Sequence, residues 1–122
     1  MVEFAAVLPI LAMLFLAIWQ CGVAFHKYLV FTDAARVGAR KAAVSRTATG
    51  GTCAAAKTAI QNTVSASQWS TDLQSGARVT CTPASPGTVG TSYTISISYP
   101  FTINVFFSRT GTMTASATER LE

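Results

Sequence analysis

The chain has 122 residues, of which 50% are apolar and only 11% are charged, and its formal net charge is +4. This length allows one modest domain, and so large an apolar share is unusual for a soluble protein of this size. The basic residues do not cluster with aromatic ones as nucleic-acid binding requires, so no nucleic-acid partner is expected.

The apolar residues are concentrated near the N-terminus. From Phe4 to Phe25 only Gln20 is clearly polar, and a helix over this run spans roughly 33 Å, enough to cross a bilayer core. A cleaved signal peptide is the alternative, but such signals open with basic residues, whereas this run opens with Met1-Val2-Glu3 and continues past Phe25 without a break. We expect Met1 to begin a mature chain whose basic leader has been removed.

The pattern predicts a nearly continuous helix from Val2 to Arg46. Pro9 lies inside it, and because proline removes a backbone donor and clashes one turn back, a bend or local unwinding is expected between Ala5 and Pro9. Farther along, small residues recur every three or four positions and form one smooth face that another element can approach closely. The members of this face are Ala35, Gly38, Ala39 and Ala42.

A second, shorter helix is predicted over Cys53–Val64, with Thr52 as its N-cap. Its buried stripe is expected to consist of Ala56, Ile60 and Val64. After Trp69 the period of the apolar residues changes to two, which is typical of strands with one buried face.

Three strands are predicted, and each has its own inward-facing residues. The first has Ala77, Val79 and Cys81 inward; the second has Tyr93, Ile95, Ile97 and Tyr99; the last follows the 101–108 segment and has Met113, Ala115 and Ala117. Together the elements predict an α+β fold. It has a long N-terminal hydrophobic helix in residues 1–46 and a small head in residues 47–122, made of one short helix and a three- to four-stranded antiparallel sheet.

The three cysteines differ in context. Cys21 lies in the apolar run, whereas Cys53 and Cys81 lie in the polar part and are the plausible disulfide partners, which implies an oxidising compartment. The alternative is that Cys53 and Cys81 are unpaired buried thiols. Five basic residues follow the apolar run and by themselves favour a cytoplasmic head, but the expected disulfide favours an outward one.

No catalytic or cofactor-binding constellation is present in the sequence. His26 is the single histidine, the acids are scattered, and no cluster has metal-ligand spacing. Gly50-Gly51 is not followed by a lysine in the register that a phosphate-binding loop needs. An enzyme, a metal site and a cofactor are therefore not expected.

Two features suggest contacts between subunits. A carboxylate beside an apolar run is costly in lipid, so Glu3 is expected either to pair with the N-terminal amine of a neighbouring copy or to lie at the interface in contact with water. The segment 100–107 is too apolar for a solvated loop, and is either a buried strand or a surface that meets a neighbouring subunit.

Two motifs carry a family resemblance. Val2-Glu3-Phe4-Ala5-Ala6-Val7-Leu8-Pro9, followed by the apolar helix and then by Thr32-Asp33-Ala34-Ala35-Arg36-Val37-Gly38-Ala39-Arg40, resembles the TadE-like pilus proteins of tight-adherence (Flp, type IVc) systems. Residues 113–122 also resemble the terminal strand of that family. The resemblance implies a type IV pilin-like fold, a prepilin cut by a prepilin peptidase, insertion in the inner membrane, and extraction into a surface filament by pilus assembly machinery.

Three functions are consistent with these observations. The first is a structural pilin subunit that polymerises with copies of itself into an extracellular Tad pilus and supports adhesion. The second is a membrane-anchored minor pseudopilin or adaptor that does not form the bulk filament, and the third is an adhesive tip. For the first, the residues expected at subunit contacts are Glu3, Phe4, Pro9, Leu14, Gly22 and Phe25.

Overall fold

The computed structural model describes residues 2–45, 51–67, 71, 73, 77–83, 89–104 and 108–121, with side chains in the first helix described from Phe4 onward. Within these ranges lie the helices α1 (Val2–Val44) and α2 (Gly51–Ser65), and Thr71 and Leu73 are also helical. They are followed by three strands, β1 (Arg78–Thr82), β2 (Ser92–Asn104) and β3 (Ser108–Arg120). The predicted α+β fold is confirmed.

Helix α1 is 43 residues long and runs without interruption from Val2 to Val44, a length of about 65 Å at 1.5 Å per residue. Pro9 lies inside it, so the local unwinding expected before Pro9 does not interrupt the helix. The reason is that proline costs the helix one hydrogen bond, while every other residue of this segment is compatible with helical backbone. The predicted end at Arg46 lies outside the described residues.

The three strands form an antiparallel sheet in the order β1-β2-β3. Strand β1 covers only the first half of β2, pairing Val79 with Ile97 and Thr82 with Thr94. Strand β3 pairs with the whole of β2, from Ser92 opposite Arg120 to Asn104 opposite Ser108. The second half of β2 therefore has one edge that β1 does not cover.

The core lies where α1, α2 and the sheet meet. The predicted small face of α1 is buried, as are the predicted stripe of α2 and the predicted inward side of β2. The fully or almost fully buried apolar residues are Phe31, Ala34, Ala35, Ala39, Ala42, Ala56, Ile60, Val64, Tyr93, Ile95, Ile97, Tyr99, Ala115 and Leu121. Phe31 stacks on Tyr99 with ring centroids 4.4 Å apart, which ties the middle of α1 to the middle of β2.

Two local predictions are wrong or incomplete. Thr52 does not cap α2, because the helix begins at Gly51 and the buried Thr52 hydroxyl has no hydrogen-bond partner among the described residues. Gly51 has φ of +83°, a conformation that glycine adopts at little cost, so a glycine and not a threonine side chain begins the helix. The segment 100–104 continues β2 with Phe101 and Ile103 half-buried, whereas Val105–Phe107 lie outside the described residues.

A disulfide joins Cys53 in α2 to Cys81 in β1, with Cα atoms 6.0 Å apart. The pair is the one that the sequence favours. The two cysteines are 28 positions apart in the sequence. Their bond connects α2 to β1, the strand at one edge of the sheet.

Removing this disulfide is expected to destabilise the head strongly. On the chain-entropy model, a loop of this length contributes about 3.5 kcal/mol to the free energy of unfolding. We expect the double variant Cys53→Ser/Cys81→Ser to lose about that amount in urea unfolding of the full chain in detergent micelles, followed by near-ultraviolet circular dichroism. Cys21→Ser is the control, because Cys21 is exposed and unpaired; an equal loss in the control would contradict the prediction.

Candidate assembly interface

The part of α1 from Phe4 to Leu16 is exposed throughout and is covered by no other part of the described chain. Apart from Met13 at 39%, its large apolar side chains are more than half exposed, including Phe4 at 76% and Phe15 at 70%. This helix is long and apolar enough to cross a membrane. A surface of this kind requires lipid or protein contacts, because apolar area in water is unfavourable at about 25 cal/mol per Å2.

Residue spacing separates two faces of α1. Gln20, Phe31 and Gly38 are eleven and seven residues apart, so they share one face of the helix, and this face meets the head. Leu11, Ile18, Phe25 and Leu29, here called the outer stripe, are seven, seven and four residues apart and share a different face. All four members of the outer stripe are more than half exposed.

The outer stripe extends beyond the part of the helix that a bilayer needs. Phe25 is 64% exposed and Leu29 51% exposed, although both stand beside the folded head. The head packs on the opposite side through Phe31 and the small residues that follow, so it leaves the outer stripe uncovered. At Leu29, which lies beyond the apolar run Phe4–Phe25, this stripe is therefore an apolar surface that no described part of the chain covers.

The head is attached to α1 at its lower end through Gln20. The Gln20 Nε2 donates a hydrogen bond to the backbone carbonyl of Asn104 over 2.6 Å, and the Asn104 backbone N–H donates to Gln20 Oε1 over 2.9 Å. A side-chain amide thus satisfies both backbone groups of Asn104, as a neighbouring strand does in a sheet. The single clearly polar residue of the apolar run is used for this contact.

Two substitutions of Gln20 are expected to distinguish the contributions of its two hydrogen bonds to the protection of Asn104. Gln20→Leu removes both partners of the Asn104 backbone, so the Asn104 amide is expected to exchange with solvent about fivefold faster, since a hydrogen bond contributes roughly 1 kcal/mol and 1.4 kcal/mol is a factor of ten. Gln20→Glu keeps an acceptor for the Asn104 N–H and is expected to retain most of the protection. Hydrogen exchange by nuclear magnetic resonance in micelles measures this, and equal protection in the leucine variant and the native chain would contradict the contact.

An apolar groove of about 910 Å3 lies between the outer stripe and the second half of the sheet. Its walls include Phe25, Tyr28, Phe101, Ile103 and Met113. The Phe101 ring packs against Gly111, and a Cβ added to this glycine would lie 2.6 Å from a carbon of the ring. The absence of a side chain at Gly111 thus leaves room for this aromatic ring against β3 at the edge of the groove.

The residues expected at subunit contacts occupy different places on α1. Phe4, Pro9 and Leu14 are exposed on the uncovered half of the helix. Gly22 and Phe25 line the apolar groove, and apart from the nearby backbone of α1 itself no described residue comes within 4 Å of a Cβ built on Gly22. Glu3 lies in the helix, but its side chain is outside the described part of the chain.

The upper end of α1 has a different character. Arg36, Arg40 and Lys41 border a groove of about 680 Å3 against α2, together with Asp33 and Val37. No group of three or more histidine, cysteine, aspartate or glutamate residues within the described ranges is placed to hold a metal ion.

Two buried tyrosines of β2 differ in how their hydroxyls are satisfied. The Tyr99 hydroxyl donates to the Met113 Sδ over 3.3 Å, and burial, assisted by the neighbouring Tyr28, raises the pKa of Tyr99 above its ordinary value. The Tyr93 hydroxyl is buried with no hydrogen-bond partner among the described residues.

Tyr93→Phe is therefore expected to leave stability unchanged or to raise it by up to about 1 kcal/mol, because an unpaired buried hydroxyl costs free energy. Tyr99→Phe is the matched variant and is expected to be neutral or slightly destabilising. The same urea unfolding measures both, and a loss of more than about 1 kcal/mol in Tyr93→Phe would show that its hydroxyl has a partner.

Comparison with known proteins supports the resemblance seen in the sequence. Residues 1–40 match the family model described as TadE-like protein, which confirms the predicted family over that segment. No curated protein and no solved structure matched the chain. The match indicates a protein associated with Tad pili that has an N-terminal membrane helix.

Proposed function

We propose that this chain is a structural pilin subunit, which polymerises through α1 with copies of itself into an extracellular Tad pilus that supports adhesion. The observation that carries the proposal is the outer stripe, above all Phe25 and Leu29, which remains exposed beside the head. A helix that served only as a membrane anchor would need exposed apolar side chains at bilayer depth. It would not need them along the part of the helix that lies beside the head.

The packing of α1 in such a filament follows from its two faces. One face holds the head, so the outer stripe is free to pack against the helices of neighbouring copies in the filament core. Gly22 adjoins this stripe and has open space around it, and small residues permit close approach of helices. Pairing of Glu3 with the N-terminal amine of a neighbouring copy then sets the axial register, and Phe4, Pro9, Leu14, Gly22 and Phe25 form further contacts between subunits.

The life cycle that follows has two stages. A prepilin peptidase removes a leader upstream of Met1, and the chain waits in the inner membrane as a single-pass precursor. The assembly machinery then extracts α1 from the lipid, and contacts between copies replace contacts with acyl chains. The disulfide Cys53–Cys81 suits an outward-facing head, because disulfides persist in oxidising compartments.

The first test is electron microscopy of filaments sheared from native cells, with mass spectrometry of the same fraction. The proposal predicts that this chain is an abundant component of regular fibres. Recovery of the chain only from the membrane fraction, with fibres made of another protein, would instead support a membrane-anchored minor pseudopilin or adaptor.

A further inference from the structure

The head reaches down into the apolar run of α1. The Gln20–Asn104 contact fixes the end of β2 at the level of Gln20, so the apolar part of α1 below this level is Phe4–Trp19, which follows Glu3. Sixteen helical residues span about 24 Å, which is less than the bilayer core of about 30 Å. Helix tilt would shorten the span further, so the lower end of the head must meet the lipid when the chain is in a membrane.

The side chains at this end have the chemistry of a membrane interface. Phe101 and Ile103 are half-buried and apolar, and Arg109, paired with Ile103 across the sheet, is exposed. Trp19 is 74% exposed one residue below Gln20. Tryptophan is enriched at the boundary between lipid and water, and an arginine stem can lie along apolar surface while its charge reaches a phosphate.

Part of the backbone at this end is also satisfied within the protein. Lipid tolerates strand ends only where their N–H and C=O groups are satisfied within the protein. Gln20 satisfies both groups of Asn104 on the edge of β2 that β1 does not cover. Alternate residues present their backbone groups to the same edge, so Pro100 and Thr102 share this edge. Pro100 has no N–H to satisfy, and the backbone groups of Thr102 lie at the depth of the interface, where water and lipid headgroups can satisfy them.

We propose that, before assembly, the lower end of the β2–β3 hairpin is a lipid-binding surface that inserts into the bilayer interface. This hairpin end is defined by Phe101–Asn104 and by Ser108–Arg109. Its apolar side chains contact the acyl chains, and Arg109 contacts a lipid phosphate. The inference rests on the membrane-inserted precursor of the proposed function and adds the lipid as a partner of the head itself.

The experiment places a spin label on the hairpin end of the full chain in vesicles of phosphatidylethanolamine and phosphatidylglycerol. In a Cys21→Ala background, Thr102→Cys carries the label on an exposed position of β2. Ser116→Cys is the matched control, because it is exposed on the same side of the sheet and about 20 Å farther from the hairpin end, at about 3.3 Å per strand residue.

The proposal predicts that the label at Thr102 collides several-fold more with molecular oxygen than with a water-soluble nickel chelate, and that the label at Ser116 shows the reverse. Arg109→Glu is expected to shift the Thr102 label toward the chelate. Equal access of the chelate to both labels would overturn the proposal. So would broadening of the spectrum of the Thr102 label by spin–spin interaction with the label on a second copy. Because the vesicles hold unassembled chains, this result does not depend on whether the chain forms filaments.

Discussion

Gly38→Val is expected to lower the free energy of unfolding of the head by about 3 kcal/mol. A Cβ at Gly38 would come within 2.6 Å of Ile60 Cγ1 and 3.4 Å of the Ala56 carbonyl oxygen. Ile60 is fully buried and has little room to move, so α1 and α2 would have to separate. Overpacking of this kind costs about 1–3 kcal/mol, and a larger side chain costs more.

Gly22 provides the matched control for Gly38. Both are glycines in the same helix, but a Cβ at Gly22 meets no atom within 4 Å. Gly22→Ala is therefore expected to leave the stability of the head unchanged in micelles, measured by urea unfolding and near-ultraviolet circular dichroism. If Gly38→Val unfolded at the same urea concentration as the native chain, the close contact between the two helices would be disproved.

Phe25→Ser combined with Leu29→Ser is expected to abolish or sharply reduce filaments while the head stays folded and the chain stays in the membrane. Both side chains are more than half exposed in the single chain, so their loss costs the isolated subunit little. Burying a phenylalanine between copies contributes about 2 kcal/mol, and each 1.4 kcal/mol is a factor of ten in an association constant. The effect is repeated at every subunit of a filament.

The control for this variant is Val89→Ser, which removes a 65% exposed apolar side chain from the head. It is expected to leave filament number unchanged. Filament counts in micrographs, with membrane fractionation and a disulfide assay of the same cells, distinguish failed assembly from failed folding. Normal filaments from the Phe25→Ser/Leu29→Ser chain would show that the outer stripe makes no contact between copies.

Much of the fold could be predicted because the spacing of apolar residues and of small residues can be recognised within a short stretch of sequence. The alternation from Tyr93 to Tyr99 predicted the buried side of β2, and the spacing of Ala35, Gly38 and Ala39 predicted the face of α1 that meets the head. The extent of β2 could not be predicted, because Pro100 interrupts the usual strand pattern. It is tolerated on an edge that β1 does not cover.

The attachment of the head to α1 was also beyond prediction from the sequence. Gln20 stood out as the polar residue of the apolar run, but its partner is the backbone of Asn104, 84 positions away. A backbone group has no sequence signature, so only the fold shows which one the side chain meets. The contact of Phe101 with Gly111 depends in the same way on the register of two strands.

The surface that joins copies of the chain follows only in part from the sequence. Apolar residues surround α1 on all sides between Phe4 and Trp19, so their pattern does not indicate which side meets lipid, head or neighbour. The structure distinguishes the sides of α1 farther toward its C-terminal end, where Phe31 is buried against the head and Phe25 and Leu29 are exposed. The proposed filament contacts rest on that difference.

The most direct measurement of the central claim is a helical reconstruction by electron cryomicroscopy of sheared filaments from native cells. The account predicts density for this chain at every subunit position, with α1 in the filament core and the outer stripe residues Leu11, Ile18, Phe25 and Leu29 buried against neighbouring copies. Filaments whose repeating subunit is another protein, or in which the outer stripe faces solvent, would contradict it.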